Sequence, residues 1–360
     1  MNQKPLRISR RTALGAGLAL SLGGGNAFAQ AAKYGPGASA TEIKLGQTMP
    51  YSGPASAYGT IGKLHQAYFK MINEAGGING RKINLISLDD GYSPPKAVEQ
   101  VRRLVEQDEV LALFQTLGTP SNSAIHKYVN GKKVPHLLLA TGATKWGDPK
   151  NYPWTMGFNP SYAAEGAIYA RYLLKTKPNA KIGILYQNDD YGKDLLKGVE
   201  DTLSGPNAKM IVSKVSYEVT DPTVDSQILT LQGSGADTFI NITTPKFAAQ
   251  AVRKAWDSGW KPLHIVNNVG ASVGSVLVPA GLDKSVGLLT MQYYKDPNDP
   301  QWKDDPAMLE WRGFMGRYYK EGDPKDASNL YAYIAAQTMV QILKQCGNDL
   351  TRENVMRQAA

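Results

Sequence analysis

The sequence VLALFQTLGTPSNSAI, residues 110–125, decides the fold class. It begins with an apolar run, Val110–Phe114, which predicts a short buried strand. The chain then turns at Gly118, and Pro120 with Ser121–Ser123 is typical of a helix cap and first turn. A strand that leads through a glycine turn to a helix points N–H groups and a positive dipole end at whatever lies above the strand. The stretch alone also fits an ordinary strand-to-helix connection, which every α/β protein has.

The same alternation continues on both sides of this stretch. The predicted strands are Ile43–Gln47, Ile83–Leu88, Val110–Phe114 and Val134–Ala140, and the predicted helices are Ile61–Glu74, Lys96–Gln107 and one that begins after Ser121. Strands that alternate with helices at this spacing predict a parallel sheet covered by helices on both faces.

A second set of the same kind follows. Strands are predicted at Lys181–Tyr186, Met210–Tyr217, Thr238–Thr243, His264–Val269 and Leu288–Tyr293, and helices at Ala163–Lys175, Lys193–Leu203, Val224–Gln232, Phe247–Ser258 and Val273–Leu277. The break between the two sets lies near Thr155–Ser161, and Tyr293–Asp305 is predicted to cross back before helices at Pro306–Lys320 and Leu330–Gln345. We therefore predict an α/β protein of two Rossmann-like lobes, 41–158 with 294–360 and 159–293, with a crevice between them.

The sequence ends inside a predicted helix, Arg352–Ala360, with no closing strand after it. We expect either that the sequence is a fragment or that the protein lacks this end of the fold.

Residues 1–29 are typical of a cleavable signal peptide. Four basic residues at positions 4, 7, 10 and 11 precede a short apolar run, Thr12–Leu22, and a small-residue cleavage site, Ala27–Ala29. Ser9–Thr12, with two adjacent arginines, predicts twin-arginine export, and a general secretory signal is the alternative. Both predict that the mature chain, starting at Gln30, leaves the cytoplasm for the periplasm.

The composition disfavours several functions. The formal net charge is +9, which falls to about +5 without the signal segment, and no dense basic run with interleaved aromatics predicts nucleic-acid binding. Cys346 is the one cysteine, and the four histidines lack metal-ligand spacing, so neither a metal nor a cofactor is predicted.

One motif suggests an enzyme. Gly270–Gly274 matches the G-x-S-x-G nucleophile elbow, with Ser272 as the nucleophile. That arrangement needs a base histidine later in the chain, and no histidine follows His264. A secreted serine hydrolase is therefore only a remote alternative, and we predict that the protein is not an enzyme.

The runs SGPASAYG, INEAGGINGRKINLISLDDGYSPPKAVEQVRRL, LGTPSNSA and TGAT resemble the substrate-binding proteins of branched-chain amino-acid-type ABC importers. The resemblance covers Thr41–Ala360. It implies a type I periplasmic-binding fold, in which two lobes linked by three crossings close on a small ligand by hinge motion. It also implies a monomer that delivers its ligand to permease subunits in the inner membrane.

The resemblance also implies which residues contact the ligand. They are Ser52 with Gly53 and Pro54, Tyr58, Leu117, Gly118, Thr119, Gly142, Ala143, Thr144, Asn159, Tyr191 and Asn268. In the family, the 117–119 and 142–144 loops hold a carboxylate through N–H groups and hydroxyls. Tyr58 and Tyr191 match aromatic residues of the two lobes, although packing within their loops would also explain them.

Two departures from the family pattern bear on the ligand. Amino-acid-binding relatives place acidic residues where this chain has Asn268 and Asn159. We expect a cleft without a carboxylate side chain, and an ammonium buried there would be costly. The resemblance thus implies a small carboxylate, including aromatic acids, with Trp146 as a candidate stacking face or a surface residue. A receptor for amino acids or amides is the alternative.

Overall fold

The computed structural model describes residues 32–360, and the predicted signal segment 1–29 lies outside them. The strands are β1 (Lys33–Tyr34), β2 (Glu42–Met49), β3 (Lys82–Asp89), β4 (Ala112–Phe114), β5 (His136–Leu139), β6 (Thr155–Gly157), β7 (Ile182–Gln187), β8 (Ile211–Tyr217), β9 (Thr238–Ile242), β10 (Leu263–Val266) and β11 (Asp349–Leu350). The helices are α1 (Gly59–Glu74), α2 (Pro94–Glu106), α3 (Thr119–Gly131), α4 (Tyr162–Thr176), α5 (Asp190–Thr202), α6 (Asp225–Gly233), α7 (Pro245–Asp257), α8 (Val278–Ala280), α9 (Pro306–Tyr318), α10 (Ala327–Cys346) and α11 (Arg352–Ala359).

Two parallel sheets form the cores of two lobes. The first lobe has five strands in the order β3-β2-β4-β5-β6, and the second has four in the order β10-β9-β7-β8. The central strands are apolar on both faces, as in β4, where all three residues are buried, because helices cover both sides of each sheet. The predicted fold class, two Rossmann-like α/β lobes, is confirmed.

Each sheet has a point where the order of the strands reverses. In the first lobe it lies between β2 and β4, and in the second between β7 and β9. The loops that leave these strands at their carboxyl ends separate to opposite faces of the sheet and leave a crevice. The segments 115–118 and 188–189, which lead into α3 and α5, therefore border the place where a ligand of this fold class binds.

The C-terminal helices pack on the first lobe. Trp311 of α9 and Leu343 of α10 belong to the same buried cluster as Ile43 and Leu45 of β2. The chain reaches α9 from the second lobe through the segment 293–305. The lobe boundaries at 158/159 and 293/294 stay predictions.

Two local predictions are wrong, and a third holds with a different helix type. The helix α3 begins at Thr119 and not after Ser121, so Ser121–Ser123 lie inside its first turn, and its N-cap is Gly118. No strand forms at Leu288–Tyr293, where one parallel bridge joins Leu289 to Ile265. The short helix predicted near Val273–Leu277 is present as a single π-helical turn, an i→i+5 geometry that hydrophobic spacing does not distinguish from an α-helix.

Within residues 32–360, none of the helices combines the length and the apolar character needed to cross a bilayer.

Candidate functional site

A cleft between the two lobes holds about 790 Å³ of empty volume, including its open mouth. Both lobes and the 293–305 crossing contribute to its walls. The lining residues are Tyr58, Ile61, Tyr92, Leu117, Gly118, Thr119, Ala140, Asn159, Tyr162, Tyr191, Thr244, Asn268, Val269, Ala271, Ser272, Thr290, Gln292, Tyr293, Tyr294, Asp296, Ala327, Ser328 and Tyr331. A cleft between two lobes is a usual place for a small-molecule ligand.

Four helix N-termini meet at this cleft. The lining includes Thr119 at the start of α3, Tyr191 at the start of α5, Thr244 before α7, and Ala327 at the start of α10. Each N-terminus carries a partial positive charge. No Lys, Arg or His is among the described residues that line the cleft. The positive potential there therefore comes from backbone dipoles, which favours an anion without supplying a full counter-charge.

The four N-termini differ in how they are capped. Asp189 caps α5 by accepting from the Tyr191 N–H at 2.9 Å, and Asp326 caps α10 by accepting from the Ser328 N–H at 3.0 Å. The Thr244 N–H, next to α7, donates to the Tyr217 hydroxyl at 3.1 Å. The N-cap of α3 is Gly118, which has no side chain to cap the helix. The N-cap of α7, Thr244, makes no side-chain cap hydrogen bond either, so the starts of α3 and α7 are the two N-termini without a side-chain cap and can receive a ligand anion.

The Tyr191 hydroxyl has an unused hydrogen-bonding capacity. The side chain is 2% exposed, and its hydroxyl has no hydrogen-bond partner among the described residues. Its ring meets that of Tyr162 edge-on, with centroids 5.1 Å apart. Burial raises the pKa of Tyr191 well above its ordinary value, so the hydroxyl stays protonated. Buried polar groups are normally paired, and this one lines the cleft, so it is a candidate ligand donor.

Tyrosines dominate the walls. Seven of the nineteen tyrosines line the cleft: Tyr58, Tyr92, Tyr162, Tyr191, Tyr293, Tyr294 and Tyr331. The Tyr331 hydroxyl donates to Asn159 Oδ1 at 2.8 Å and accepts from Gln115 Nε2 at 3.1 Å. These bonds fix the ring at the base of the cleft. A cleft lined by so many rings suits a flat apolar ligand body.

Asn268 is positioned by a buried acid that the sequence analysis missed. Its N–H donates to Glu165 Oε1 at 2.7 Å, and its Nδ2 donates to Gln292 Oε1 at 2.6 Å. Glu165 is 3% exposed, and burial raises its pKa. Glu165 does not line the cleft, so it acts on a ligand only through Asn268. In the sequence, Glu165 has the position of an ordinary polar residue of a helix, so nothing there indicates that it would position Asn268.

The expectation of a cleft without an acidic side chain is wrong, because Asp296 lines it. Asp296 Oδ1 accepts from the backbone N–H of Asn298 at 2.7 Å and from its Nδ2 at 3.0 Å. Asp296 lies in the crossing 293–305, for which the sequence predicts a connection between the lobes and no site residue. It is the one charged residue among the described residues of the lining.

Six of the predicted ligand residues lie outside the lining: Ser52, Gly53, Pro54, Gly142, Ala143 and Thr144. Ser52 is exposed, and its Oγ donates to Asp89 Oδ2 at 2.6 Å. The carbonyl oxygen of Gly142 accepts from the Tyr162 N–H at 2.7 Å, and a Cβ at Gly142 would lie 2.5 Å from the Pro160 oxygen. The polar groups of Ser52 and Gly142 are therefore engaged in holding loops.

The polar groups of Ala143 and Thr144 are also engaged elsewhere. The Ala143 N–H contacts Thr141 Oγ1 at 3.4 Å. The N–H and Oγ1 of Thr144 both donate to Asp194 Oδ2, at 2.8 and 2.9 Å. Asp194 lies on α5, so Thr144 joins the lobes outside the cleft. Trp146 is buried, and its Nε1 donates to Thr141 Oγ1 at 3.3 Å, away from the lining.

The structure brings the other seven predicted residues together in the lining: Tyr58, Leu117, Gly118, Thr119, Asn159, Tyr191 and Asn268. The Leu117 N–H is already used, since it donates to the Thr48 oxygen at 3.2 Å. Thr119 Oγ1 lies 2.6 Å from Thr141 Oγ1. A carboxylate at this corner would therefore meet the start of α3 and the Thr119 hydroxyl, which is paired with Thr141 outside the lining.

Ser272, the proposed elbow nucleophile, ties the second lobe to α10. Its Oγ donates to Asp326 Oδ1 at 2.8 Å and accepts from the Ala327 N–H at 3.1 Å. No histidine lines the cleft among the described residues, so the serine–histidine pair that the nucleophile elbow requires is not found there.

Comparisons with known proteins agree with this geometry. A family model described as periplasmic binding protein matches residues 42–360. The Leu/Ile/Val-binding protein homolog 7 of Brucella suis biovar 1 is 25% identical over 325 residues, which cover 86% of this chain and 79% of that protein.

Solved structures share the fold. A fatty acid ABC transporter substrate-binding protein from Thermomonospora curvata superposes with a TM-score of 0.76 at 24% identity, covering 91% of this chain and 82% of that one. A branched chain amino acid ABC transporter protein from Thermus thermophilus, with bound valine, gives 0.79 at 16% identity, covering 88% and 82%. At these identities the likeness establishes the two-lobe architecture.

Proposed function

Because this chain belongs to the periplasmic binding protein family, we propose that it is the periplasmic receptor of an ABC importer and binds a small carboxylate between its lobes. Aromatic acids are the ligands that we favour. The receptor would act as a monomer and deliver its ligand to the permease subunits. This role requires binding and release and no chemical step.

The observation that carries this proposal is the meeting of backbone dipoles and an unpaired hydroxyl in a cleft whose lining, among the described residues, includes no basic side chain. A carboxylate at the start of α3 would accept from N–H groups that have no partner within the helix. The Tyr191 hydroxyl would give a further charge-assisted hydrogen bond. Neutral donors can hold a single negative charge in this way without a cationic partner.

The tyrosine-rich walls support an aromatic ligand body. Rings packed edge-on or offset against a ligand ring stabilise it by about 0.5–1.5 kcal/mol each beyond the apolar area they bury. The family members named above differ in ligand, since one is named for a fatty acid and another holds valine. Both ligands carry a carboxyl group, and of the two only valine carries an ammonium.

An amino-acid receptor is the second candidate, and Asp296 favours it. This carboxylate could pair with a ligand ammonium at the 293–305 side of the cleft. In the carboxylate-only proposal, Asp296 does not contact the ligand and only accepts hydrogen bonds from Asn298.

A thermal-shift screen tests the two candidates. A ligand that binds only the folded state raises Tm by mass action. We expect benzoate, phenylacetate or a short aliphatic acid to raise Tm, and leucine, valine and phenylalanine to have little effect. If the amino acids raise Tm and the simple acids do not, the carboxylate proposal is wrong. Loss of that amino-acid effect in Asp296→Asn would then assign the ammonium site.

A further inference from the structure

Tyr92 lines the cleft in a backbone conformation that L-residues rarely adopt. Its φ is +60°, in the left-handed region, and its side chain is 6% exposed. A bulky residue other than glycine in this region costs on the order of 1 kcal/mol or more, and such residues cluster at functional sites. Glycine at position 92 would relieve the backbone strain, which indicates that the tyrosine side chain has a function at this position.

A buried carboxylate holds this conformation. Asp90 is fully buried, and its Oδ1 accepts from the Tyr92 N–H at 2.9 Å. Its backbone oxygen accepts from the Ser93 N–H at 2.9 Å. Asp90 therefore closes a tight turn after β3 and points Tyr92 into the cleft.

The Tyr92 ring packs directly on Gly118, the N-cap of α3. A Cβ built on Gly118 would lie 2.6 Å from Tyr92 Cε2, closer than real atoms approach. Gly118 has a φ of +95°, so two features, the backbone angle and the ring, require glycine there. The ring thus forms a wall immediately beside the proposed carboxylate position.

The other end of the ring faces the second lobe. Burial is the largest cause that raises the pKa of the Tyr92 hydroxyl, and the Asp189 carboxylate raises it further. The nearby Gln187 side chain acts in the opposite direction and lowers this pKa. Gln187 ends β7 and Asp189 caps α5, so the ring spans the space between the lobes.

We propose that Tyr92, positioned by Asp90 against Gly118, is the residue that selects flat ligand bodies over saturated ones. A carboxylate at the start of α3 has its first ring or chain atoms beside the Tyr92 ring. A flat body fits against that ring, whereas a puckered ring of the same size would be pushed away from it. This inference rests on the carboxylate site proposed above.

Benzoate and cyclohexanecarboxylate are the probes, because they share size and charge and differ in flatness. Their Kd values are measured by calorimetry for wild type, Tyr92→Phe, Tyr92→Leu, and the control Tyr172→Leu, whose tyrosine is 43% exposed on α4. We expect wild type, Tyr92→Phe and Tyr172→Leu to prefer benzoate by roughly tenfold, the size of one aromatic contact. We expect Tyr92→Leu to lose that preference.

The role of Asp90 is tested with the same ratio. Asp90→Ala should lose the preference for benzoate, and Asp90→Asn, which keeps an oxygen to accept from the Tyr92 N–H, should retain it. If Asp90 has a purely structural role, Asp90→Ala should weaken the binding of both acids equally and leave the ratio of their Kd values unchanged. The ratio should also stay unchanged if Tyr92 does not contact the ligand.

The outcomes separate this inference from the proposed function. If wild type binds both acids and Tyr92→Leu keeps the wild-type ratio, the inference is wrong and the carboxylate site stands. If wild type binds neither these acids nor any other carboxylate of the thermal-shift screen, the proposed function fails and the inference fails with it.

Discussion

The Tyr58 hydroxyl donates a hydrogen bond of 2.8 Å to the Val269 carbonyl oxygen, across the cleft from the first lobe to the second. Both residues line the cleft, so this bond closes one of its walls. A second set of contacts joins the lobes at α5, where Lys145 Nζ lies 2.6 Å from Asp190 Oδ2. That pair is 39% and 59% exposed and contributes little to stability. The buried Tyr58 bond is therefore the better candidate for coupling closure to binding.

We expect Tyr58→Phe to weaken ligand binding. The change removes one hydrogen bond between the lobes, which contributes about 0.5–1.5 kcal/mol and corresponds to a roughly 2- to 10-fold rise in Kd. The measurement is calorimetric titration of the acid that raises Tm most. Tyr172→Phe, on the exposed face of α4, is the control. Equal affinities of Tyr58→Phe and wild type would show that the bond does not contribute to closure around the ligand.

Tyr191→Phe should weaken binding without destabilising the ligand-free protein. Among residues 32–360 its hydroxyl has no hydrogen-bond partner, so removing it loses none of the described internal hydrogen bonds. A hydrogen bond to a charged ligand contributes about 1.5–3 kcal/mol, so Kd should rise roughly 10- to 100-fold.

Tyr217→Phe provides the contrast. The Tyr217 hydroxyl donates to Gln187 Oε1 at 2.8 Å and accepts from the Thr244 N–H at 3.1 Å. This variant should lose about 1–3 kcal/mol of unfolding free energy without ligand, because buried groups are left unpaired. Denaturant titration of both variants decides the point. If Tyr191→Phe is destabilised as much as Tyr217→Phe and its affinity is unchanged, Tyr191 belongs to the core and not to the site.

The sequence was sufficient for the architecture. Strand and helix patterns alternate along the chain in two sets, for example Ile43–Gln47 followed by Ile61–Glu74. A parallel sheet built from such a set buries both of its faces under the connecting helices. The loop at Gly118 was found because strand, glycine and helix start follow one another within a few residues. Local chemistry and periodicity carry this information, so no tertiary structure was needed.

The rest of the site depends on contacts between distant segments. Asp296 and Tyr331 enter the cleft from the crossing and from α10, more than a hundred residues after Gly118. Thr144 left the predicted site because its hydroxyl meets Asp194, fifty residues away. No spacing rule predicts such pairs. Tyr92 was the exception, since it follows β3 at its carboxyl end and could have been noted from that position.

Asp90→Asn should change how stability depends on pH. Burial is the largest cause that raises the pKa of Asp90 from 3.8 to about 6. The folded state then binds this proton more tightly than the unfolded chain, so the contribution favours folding below about pH 4 and is lost as pH rises through about 6. Asparagine has no such loss, so the variant should gain up to about 3 kcal/mol over wild type between pH 4 and pH 7.

Urea titrations of both proteins at pH 4.5, 5.5 and 7 check this expectation. Three buried histidines, His65, His136 and His264, have pKa values lowered to about 3 by burial. They destabilise the folded state as the pH falls below about 6.5, the opposite trend, but equally in both proteins. The difference between the two profiles therefore reports Asp90, and parallel profiles would show that its carboxyl group titrates normally.

The most direct measurement of the central claim is a calorimetric comparison of 3-phenylpropanoate with phenylalanine, which differ only in the ammonium group. The claim is that backbone dipoles and hydroxyls at the start of α3 hold a carboxylate whose binding needs no ammonium partner. We predict that 3-phenylpropanoate binds at least tenfold more tightly than phenylalanine and that Asp296→Asn changes its Kd by less than threefold. Tighter binding of phenylalanine, lost in Asp296→Asn, would contradict the account.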